Sequence, residues 1–329
     1  MRAIELFSGI GGMHFAAKEC GLDTNIDVVL SVDINPVANK VYEHFFPSTN
    51  HKELNILSLK PEQINAYNPD ILLMSPPCQP FTRNGLVKDV DDERAKPLLH
   101  IIENLIPYLQ SLRYILVENV KGFECSVARN KLTTTLNQSG FTFREFLLSP
   151  KHFGICNSRL RYYLLAKAKP LSFNIAIQNE IVCDNTWDTK LCKSITKVSD
   201  VLCERGEDLE KYLIRDDLLL KYYKVLDVVT RNSTGSCCFT RSYGTYLRGT
   251  GSVFSSLDDQ QVKQITNCEN CDLESLKNLK LRFFTPAEIA KFMCIPITNF
   301  PVSDKKAYQL LGNSINVYVV SRLLCLLLS

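Results

Sequence analysis

The chain has no charge of one dominant sign: 38 basic and 35 acidic residues leave 329 positions with a net charge of +3. That balance permits a polyanionic partner without arguing for one. An uninterrupted apolar run of the ~20 residues needed to cross a bilayer is also missing. The most apolar stretch, 315–328, carries Arg322 and reads as a buried C-terminal helix. No secretory leader is recognisable, because strand-type residues begin at Ala3. With thirteen scattered cysteines, an odd number, the expected surroundings are reducing: cytoplasm, with the nucleus as a second compartment. No internal repeat or low-complexity tract occurs. A metal is not expected either. Cys268-Glu269-Asn270-Cys271 has ligand spacing, but no second cysteine pair or histidine cluster completes it. His14 and His152 read as core or surface residues. What is present is ordinary for a packed fold: 45% hydrophobic and 22% charged residues, enough to build a sizeable core.

From 1 to about 170, short β-rich runs alternate with amphipathic stretches, the pattern of a doubly wound, mostly parallel α/β sheet. Strands are expected at 3–7, 28–32, 71–74, 114–118 and 162–166, and helices at 13–20, 36–46, 97–109 and 127–138. The rhythm fails between 171 and 280, where polar residues dominate and the only tryptophan, Trp187, lies. That segment is expected to be a smaller inserted domain, with 281–329 returning to the first. Thr285-Pro286-Ala287-Glu288 supplies an N-cap, an N1 proline and an acidic first turn for the returning helix.

Four groups of residues carry chemistry. Phe7-Ser8-Gly9-Ile10-Gly11-Gly12 lies where a strand gives way to a helix, so main-chain N–H groups face a ligand and the glycines let it approach. Asp33 follows Gly12 by 21 residues at the end of the second expected strand, where a carboxylate accepts hydrogen bonds from ribose hydroxyls. Together they point to an adenosine-containing cofactor. Ser75-Pro76-Pro77-Cys78-Gln79-Pro80-Phe81 puts a cysteine between prolines at the carboxyl edge of a sheet, where a rigidly held thiolate can add to carbon 6 of a pyrimidine. Glu118-Asn119-Val120 ends another strand and aims a carboxyl group, neutral through desolvation, at the ring nitrogen N3 of cytosine. Arg159 and Arg161 alternate on a strand, sending both guanidinium groups to one face to clamp a base carbonyl and a phosphate.

In these residues, and in their order along nearly the whole chain, the sequence resembles the cytosine carbon-5 methyltransferases. The resemblance implies S-adenosylmethionine as cofactor, with S-adenosylhomocysteine as product. It assigns the cofactor loop to Phe7, Ser8, Gly9, Ile10, Gly11 and Gly12, the ribose to Asp33 beside Ile34, and the adenine side to Asn55 and Ile56. Ser75 and Pro76, with Asn313, Ser314 and Ile315 of the motif Gly312-Asn313-Ser314-Ile315, complete that pocket. Cys78, Glu118, Arg159 and Arg161 become the catalytic set. The chain is most similar to the branch that methylates an anticodon-loop cytosine of tRNA-Asp: it has Cys78-Gln79-Pro80-Phe81-Thr82-Arg83, Asn157-Ser158-Arg159-Leu160-Arg161 and Cys238-Phe239-Thr240, and is read as having no N-terminal regulatory region. Gln79, Phe81, Thr82, Arg83, Asn119, Cys238, Phe239 and Thr240 are the implied substrate residues. Arg241, Tyr243, Tyr246 and Arg248 form a basic and aromatic RNA face, and 82–96 forms a lid. A monomer is expected. Two alternatives stay open: a DNA methyltransferase of low activity, and a non-catalytic nucleic-acid-binding relative.

Overall fold

The computed structural model describes residues 1–21, 25–81, 88–173, 181–188, 195–203, 208–267 and 271–329. The apolar runs of the first half become strands β1 (Arg2–Leu6), β2 (Asp27–Asp33), β3 (His51–Glu53), β4 (Ile71–Met74), β5 (Tyr114–Val120), β6 (Phe141–Leu148) and β7 (Arg161–Ala168). They form one sheet in the order β3-β2-β1-β4-β5-β7-β6. The first five strands run parallel, and β7 is antiparallel to both β5 and β6. Parallel strands buried on both faces read as unbroken apolar runs, which is why β4 (Ile71-Leu72-Leu73-Met74) is buried at every position. Helices α1 (Gly12–Glu19), α2 (Pro36–Phe45), α3 (Pro61–Asn65), α4 (Lys96–His100) and α5 (Val127–Gln138) connect them. The order reverses at β1, so β2 and β4 leave their carboxyl ends on either side of the β1–α1 loop, where ligands bind in such sheets.

Two features differ from the sequence pattern. The helix expected over 97–109 is α4 followed by a π-turn at Ile101–Leu105 and a 3-10 turn at Ile106–Tyr108, because Pro107 has no N–H for a continuing ladder. Strands β3 and β6 have no counterpart among the expected strands.

The chain forms two compact units. The sheet unit comprises Met1–Leu148, Leu160–Lys190 and Val317–Ser329; the second comprises Ser149–Arg159 and Leu191–Asn316. This departs from the expected boundaries at 170 and 280. Residues 181–188 belong with the sheet, where Trp187 packs against Phe146, and both carboxylate oxygens of Asp188 accept from Arg322 at 2.7 Å. Arg322 lies on the buried C-terminal helix (Val317–Leu328, α11 below), which packs on α1. Residues 281–316 belong to the second unit.

That unit holds α6 (Asp216–Tyr222), the two-residue strands β8 (Val228–Val229) and β9 (Val253–Phe254), α7 (Asp259–Thr266), α8 (Leu273–Asn278), α9 (Pro286–Phe292) and α10 (Asp304–Gly312). An aromatic cluster of Phe239, Tyr243, Phe284 and Phe292, with neighbouring ring centroids 5.1–5.7 Å apart, fixes α9 within it. Thr285 caps α9 as expected. The Thr285 hydroxyl accepts from Glu288 N–H at 3.2 Å, and the fully buried Glu288 carboxylate accepts from Thr285 N–H and from the Arg282 guanidinium.

Candidate active site

The β1–α1 turn takes its shape from three left-handed residues, Phe7, Gly9 and Gly11. A side chain at Gly11 would drive its Cβ to 2.4 Å from the Phe46 ring, so glycine is required there for packing as well as for its φ of 84°. Gly9, by contrast, faces open space. The Asp33 carboxylate accepts from Gly9 N–H and from Asn35 N–H, both at 2.8 Å, tying the end of β2 to the loop. Ile34 beside it is 64% exposed, unusual for isoleucine, and offers an apolar platform next to the carboxylate. Asn55 caps the turn at Ile56–Ser58 by accepting from Leu57 N–H, and Ile56 is buried. The hydroxyl of Ser8 is buried without a protein partner among the described residues. An open glycine main chain, a ribose-type carboxylate, an exposed apolar side chain and an orphaned hydroxyl fit an adenosyl cofactor. Ser75 serves this region indirectly, since its hydroxyl donates to Phe7 O at 3.1 Å.

That bond also locates the nucleophile loop. Ser75 leaves β4 tied to the cofactor loop, and the Asn119 side chain donates to Pro76 O at 3.3 Å from the neighbouring strand β5. Cys78 is therefore half-exposed on a stretch fastened from both sides, and Phe81 N–H closes the following turn on Cys78 O at 2.9 Å. Glu118 stands at the carboxyl end of β5, 8% exposed, with Arg161 Nε 3.4 Å from its Oε1. The desolvated carboxyl group expected at Glu118 thus has a cation beside it, which fixes its orientation. Cys78, Glu118, Arg161, Asp33 and the loop Phe7–Gly12 all belong to the sheet unit.

Several expected contacts are not of the expected kind. Arg159 lies before β7, not on it, and belongs to the second unit. Its buried guanidinium donates to Phe239 O and Gly312 O at 3.2 Å each, to Ser314 O, and to Cys238 Sγ at 3.4 Å. It joins the Cys238-Phe239-Thr240 segment to the Gly312-Asn313-Ser314-Ile315 turn, and is not a clamp free to grip a base. The two stretches meet closely: a Cβ on Gly312 would lie 2.1 Å from Arg241 N.

Phe81 and Phe239 are core residues, 3% and 2% exposed, and Asn119, 1% exposed, holds the nucleophile loop. Tyr243, expected to stack on RNA, is also 2% exposed. Its hydroxyl donates to Ser252 O and accepts from Phe284 N–H. The sequence shows an aromatic residue in a basic stretch and cannot show that its ring is the keystone of a cluster. Arg241, Tyr246 and Arg248 are exposed, Gln79 and Cys238 are half-exposed, and Thr240 is partly covered. Asn313 caps α10 and Ile315 is buried. Thr82, Arg83 and Cys268-Glu269-Asn270 lie outside the described residues. Of the expected lid, 88–96 is anchored: the Asp89 carboxylate accepts from Val127 N–H at 2.6 Å and Ala128 N–H at 3.2 Å, and Asp92 grips Arg94.

One residue of this region escapes a reading of the sequence. Glu5, on β1 directly beneath the loop, is 1% exposed and accepts from Met13 N–H at 3.2 Å. Its signal is a carboxylate inside the apolar run Ala3-Ile4-Glu5-Leu6.

Relatives of known name match this chain along nearly its whole length. The family model described as C-5 cytosine-specific DNA methylase matches residues 1–326. A Spodoptera frugiperda protein named tRNA (cytosine(38)-C(5))-methyltransferase is 43% identical, with 99% of this chain and 98% of the relative covered. A human protein of the same name is 38% identical, with 99% of each covered. The crystal structure of a Spodoptera frugiperda DNMT2 mutant superposes with a TM-score of 0.88 at 42% identity, covering 100% of this chain and 99% of that one. By motif order, sheet topology and whole-length similarity, the chain belongs to the C-5 cytosine-specific DNA methylase family.

Proposed function

We propose that the protein methylates carbon 5 of a cytosine in the anticodon loop of tRNA, tRNA-Asp in particular, through a covalent bond to Cys78. The family's methyl donor, S-adenosylmethionine, supplies an electrophilic methyl group on a sulfonium. The loop Phe7–Gly12, Asp33, Ile34, Asn55 and Ile56 would hold it. The observation that carries the reading is the pair of bonds from Ser75 to Phe7 O and from Asn119 to Pro76 O. They fasten the stretch leading to the half-exposed Cys78 to the cofactor loop on one side and to the neighbour of Glu118 on the other, which supports a thiol held near both.

In this reading the base leaves its stack and Cys78 Sγ adds to carbon 6. Glu118, oriented by Arg161 and acting in its protonated form, donates to N3, which draws electron density from the ring, favours addition at carbon 6 and supports the density that moves to carbon 5. Methylation of carbon 5 is followed by loss of its proton, which restores the double bond and expels the thiolate. The tRNA substrate is supported by relatives at 43% and 38% identity whose names specify it. The exposed Arg241, Tyr246 and Arg248 supply charge and one stacking ring for an RNA loop.

DNA is the second reading, favoured by the description of the matched family model. Methyl transfer measured side by side on tRNA-Asp transcript and duplex DNA separates them. Transfer to the transcript at least about tenfold faster is expected; faster transfer to DNA would reverse the assignment. Transfer to neither would favour a non-catalytic relative.

A further inference from the structure

Beneath the cofactor loop lies a group of buried titratable side chains that the chemistry above does not use. Glu5 is its centre. Oε1 accepts from Met13 N–H in the first turn of α1, and Oε2 is buried without a hydrogen-bond partner among the described residues. The loop is thus held by two carboxyl groups, Asp33 at Gly9 N–H from one side and Glu5 at Met13 N–H from below.

We propose that Glu5 is a positioning residue that senses the charge of the cofactor, giving up its proton to solvent when the sulfonium form binds and keeping it when the thioether product binds. The inference rests on the cofactor part of the proposed function and needs no RNA.

The surroundings of Glu5 support a carboxyl group poised between its two forms. From α1, the main-chain N–H groups of His14 and Met13 face it; from α2, Tyr42 does; from β2, Asp33 does. β4 presents only Ile71, Leu72, Leu73 and Met74. Further out, His14 Nδ1 lies 2.8 Å from the Tyr42 hydroxyl, and His51 of β3 stacks on the Tyr42 ring with Glu43 and Glu53 near it. Burial, then Lys18, pushes His14 down to about 3, so its ring is neutral, and burial lowers His51 as well. On α11, Arg322 is committed to Asp188. Among the described residues, therefore, no cation faces Glu5 in the free protein. Burial pushes its carboxyl up to about 8, against the pull of the His14 main chain, Tyr42 and Met13, with Asp33 adding to the rise.

A positive charge arriving on the loop favours the carboxylate. Coulomb attraction through protein interior is screened less than in water, so a unit positive charge bound on the loop lowers the cost of ionising Glu5. S-adenosylmethionine carries that charge on sulfur and S-adenosylhomocysteine does not; both carry the same amino-acid end. The preference for substrate over product should thus rise severalfold as pH climbs to about 8, and level off beyond it.

The test is calorimetric titration of both ligands into the full chain from about pH 6 to 9, in buffers of different ionisation enthalpy, with Glu5→Gln and Tyr42→Phe as variants. Wild type should release protons on binding S-adenosylmethionine in excess of those Glu5→Gln releases, a difference that also removes the ligand's own ammonium titration. Tyr42→Phe, which deletes a group that pulls Glu5 down, should move the midpoint upward, and it tests the inference should Glu5→Gln fail to fold. Equal proton release by wild type and Glu5→Gln, or an unmoved midpoint in Tyr42→Phe, overturns the inference and leaves the methyltransferase reading standing. Absence of S-adenosylmethionine binding to wild type overturns both.

Discussion

Replacing Arg159 by alanine distinguishes a structural tie from a catalytic clamp. Its guanidinium serves Phe239 O, Gly312 O and Ser314 O from a site only 5% exposed, so alanine leaves three carbonyls without their donor in a place water does not readily reach. A hydrogen bond from a charged donor contributes about 1.5–3 kcal/mol. The three are not additive, because the freed segments relax together, so a loss of about 3–5 kcal/mol is expected, in line with breaking a buried charged contact. At about 2–4 °C per kcal/mol, the melting transition that reports the second unit should fall by roughly 10 °C. Arg159→Lys keeps the charge but not the planar fork and should lose about half as much. Urea unfolding followed by limited proteolysis of 236–242, inside the second unit, measures this directly. If Arg159→Ala unfolded at the wild-type midpoint while methyl transfer disappeared, Arg159 would act on the base and the structural account would be wrong.

Asp33→Ala should weaken S-adenosylmethionine by about 1–3 kcal/mol, since the carboxylate offers a ribose contact and also fixes Gly9 and Asn35; an unchanged dissociation constant would remove it from the site. Arg241→Ala with Arg248→Ala should weaken tRNA binding and lower its salt slope by up to about 0.7 for each phosphate no longer neutralised, with cofactor affinity unaltered; an intact slope would remove these residues from the RNA face. Tyr243→Phe should lose about 1–3 kcal/mol of stability through its two buried hydrogen bonds yet leave that slope untouched, and a changed slope would restore the stacking role that burial denies it.

The parallel core is legible because β1, β2, β4 and β5 are bounded apolar runs, and the motifs at their carboxyl ends fall where the topology needs them. β6 is not, because Arg144 and Glu145 interrupt its pattern. Glu145 is tolerated only because Arg129 donates to it from α5 and the Tyr162 hydroxyl from β7, partners 16 and 17 residues away. Arg159 misleads for the same reason at longer range. Spacing alone suggests a strand face shared with Arg161, while its acceptors lie 80, 153 and 155 residues further on. Glu5 shows the converse case: a polar residue in an apolar strand is visible, but its meaning depends on Met13, Tyr42 and Asp33 closing around it.

A bond from Cys78 to carbon 6 of a cytosine in RNA can be trapped. A tRNA-Asp transcript carrying 5-fluorocytidine allows addition and methylation but blocks the final loss from carbon 5, so the thioether persists. With S-adenosylmethionine present, a denaturation-resistant complex should form and peptide mass spectrometry should place the RNA adduct on Cys78. Cys78→Ala should form none while binding cofactor within about tenfold, or about 1.4 kcal/mol, of wild type. An adduct on another residue, or efficient methylation of ordinary tRNA by Cys78→Ala, would contradict the account.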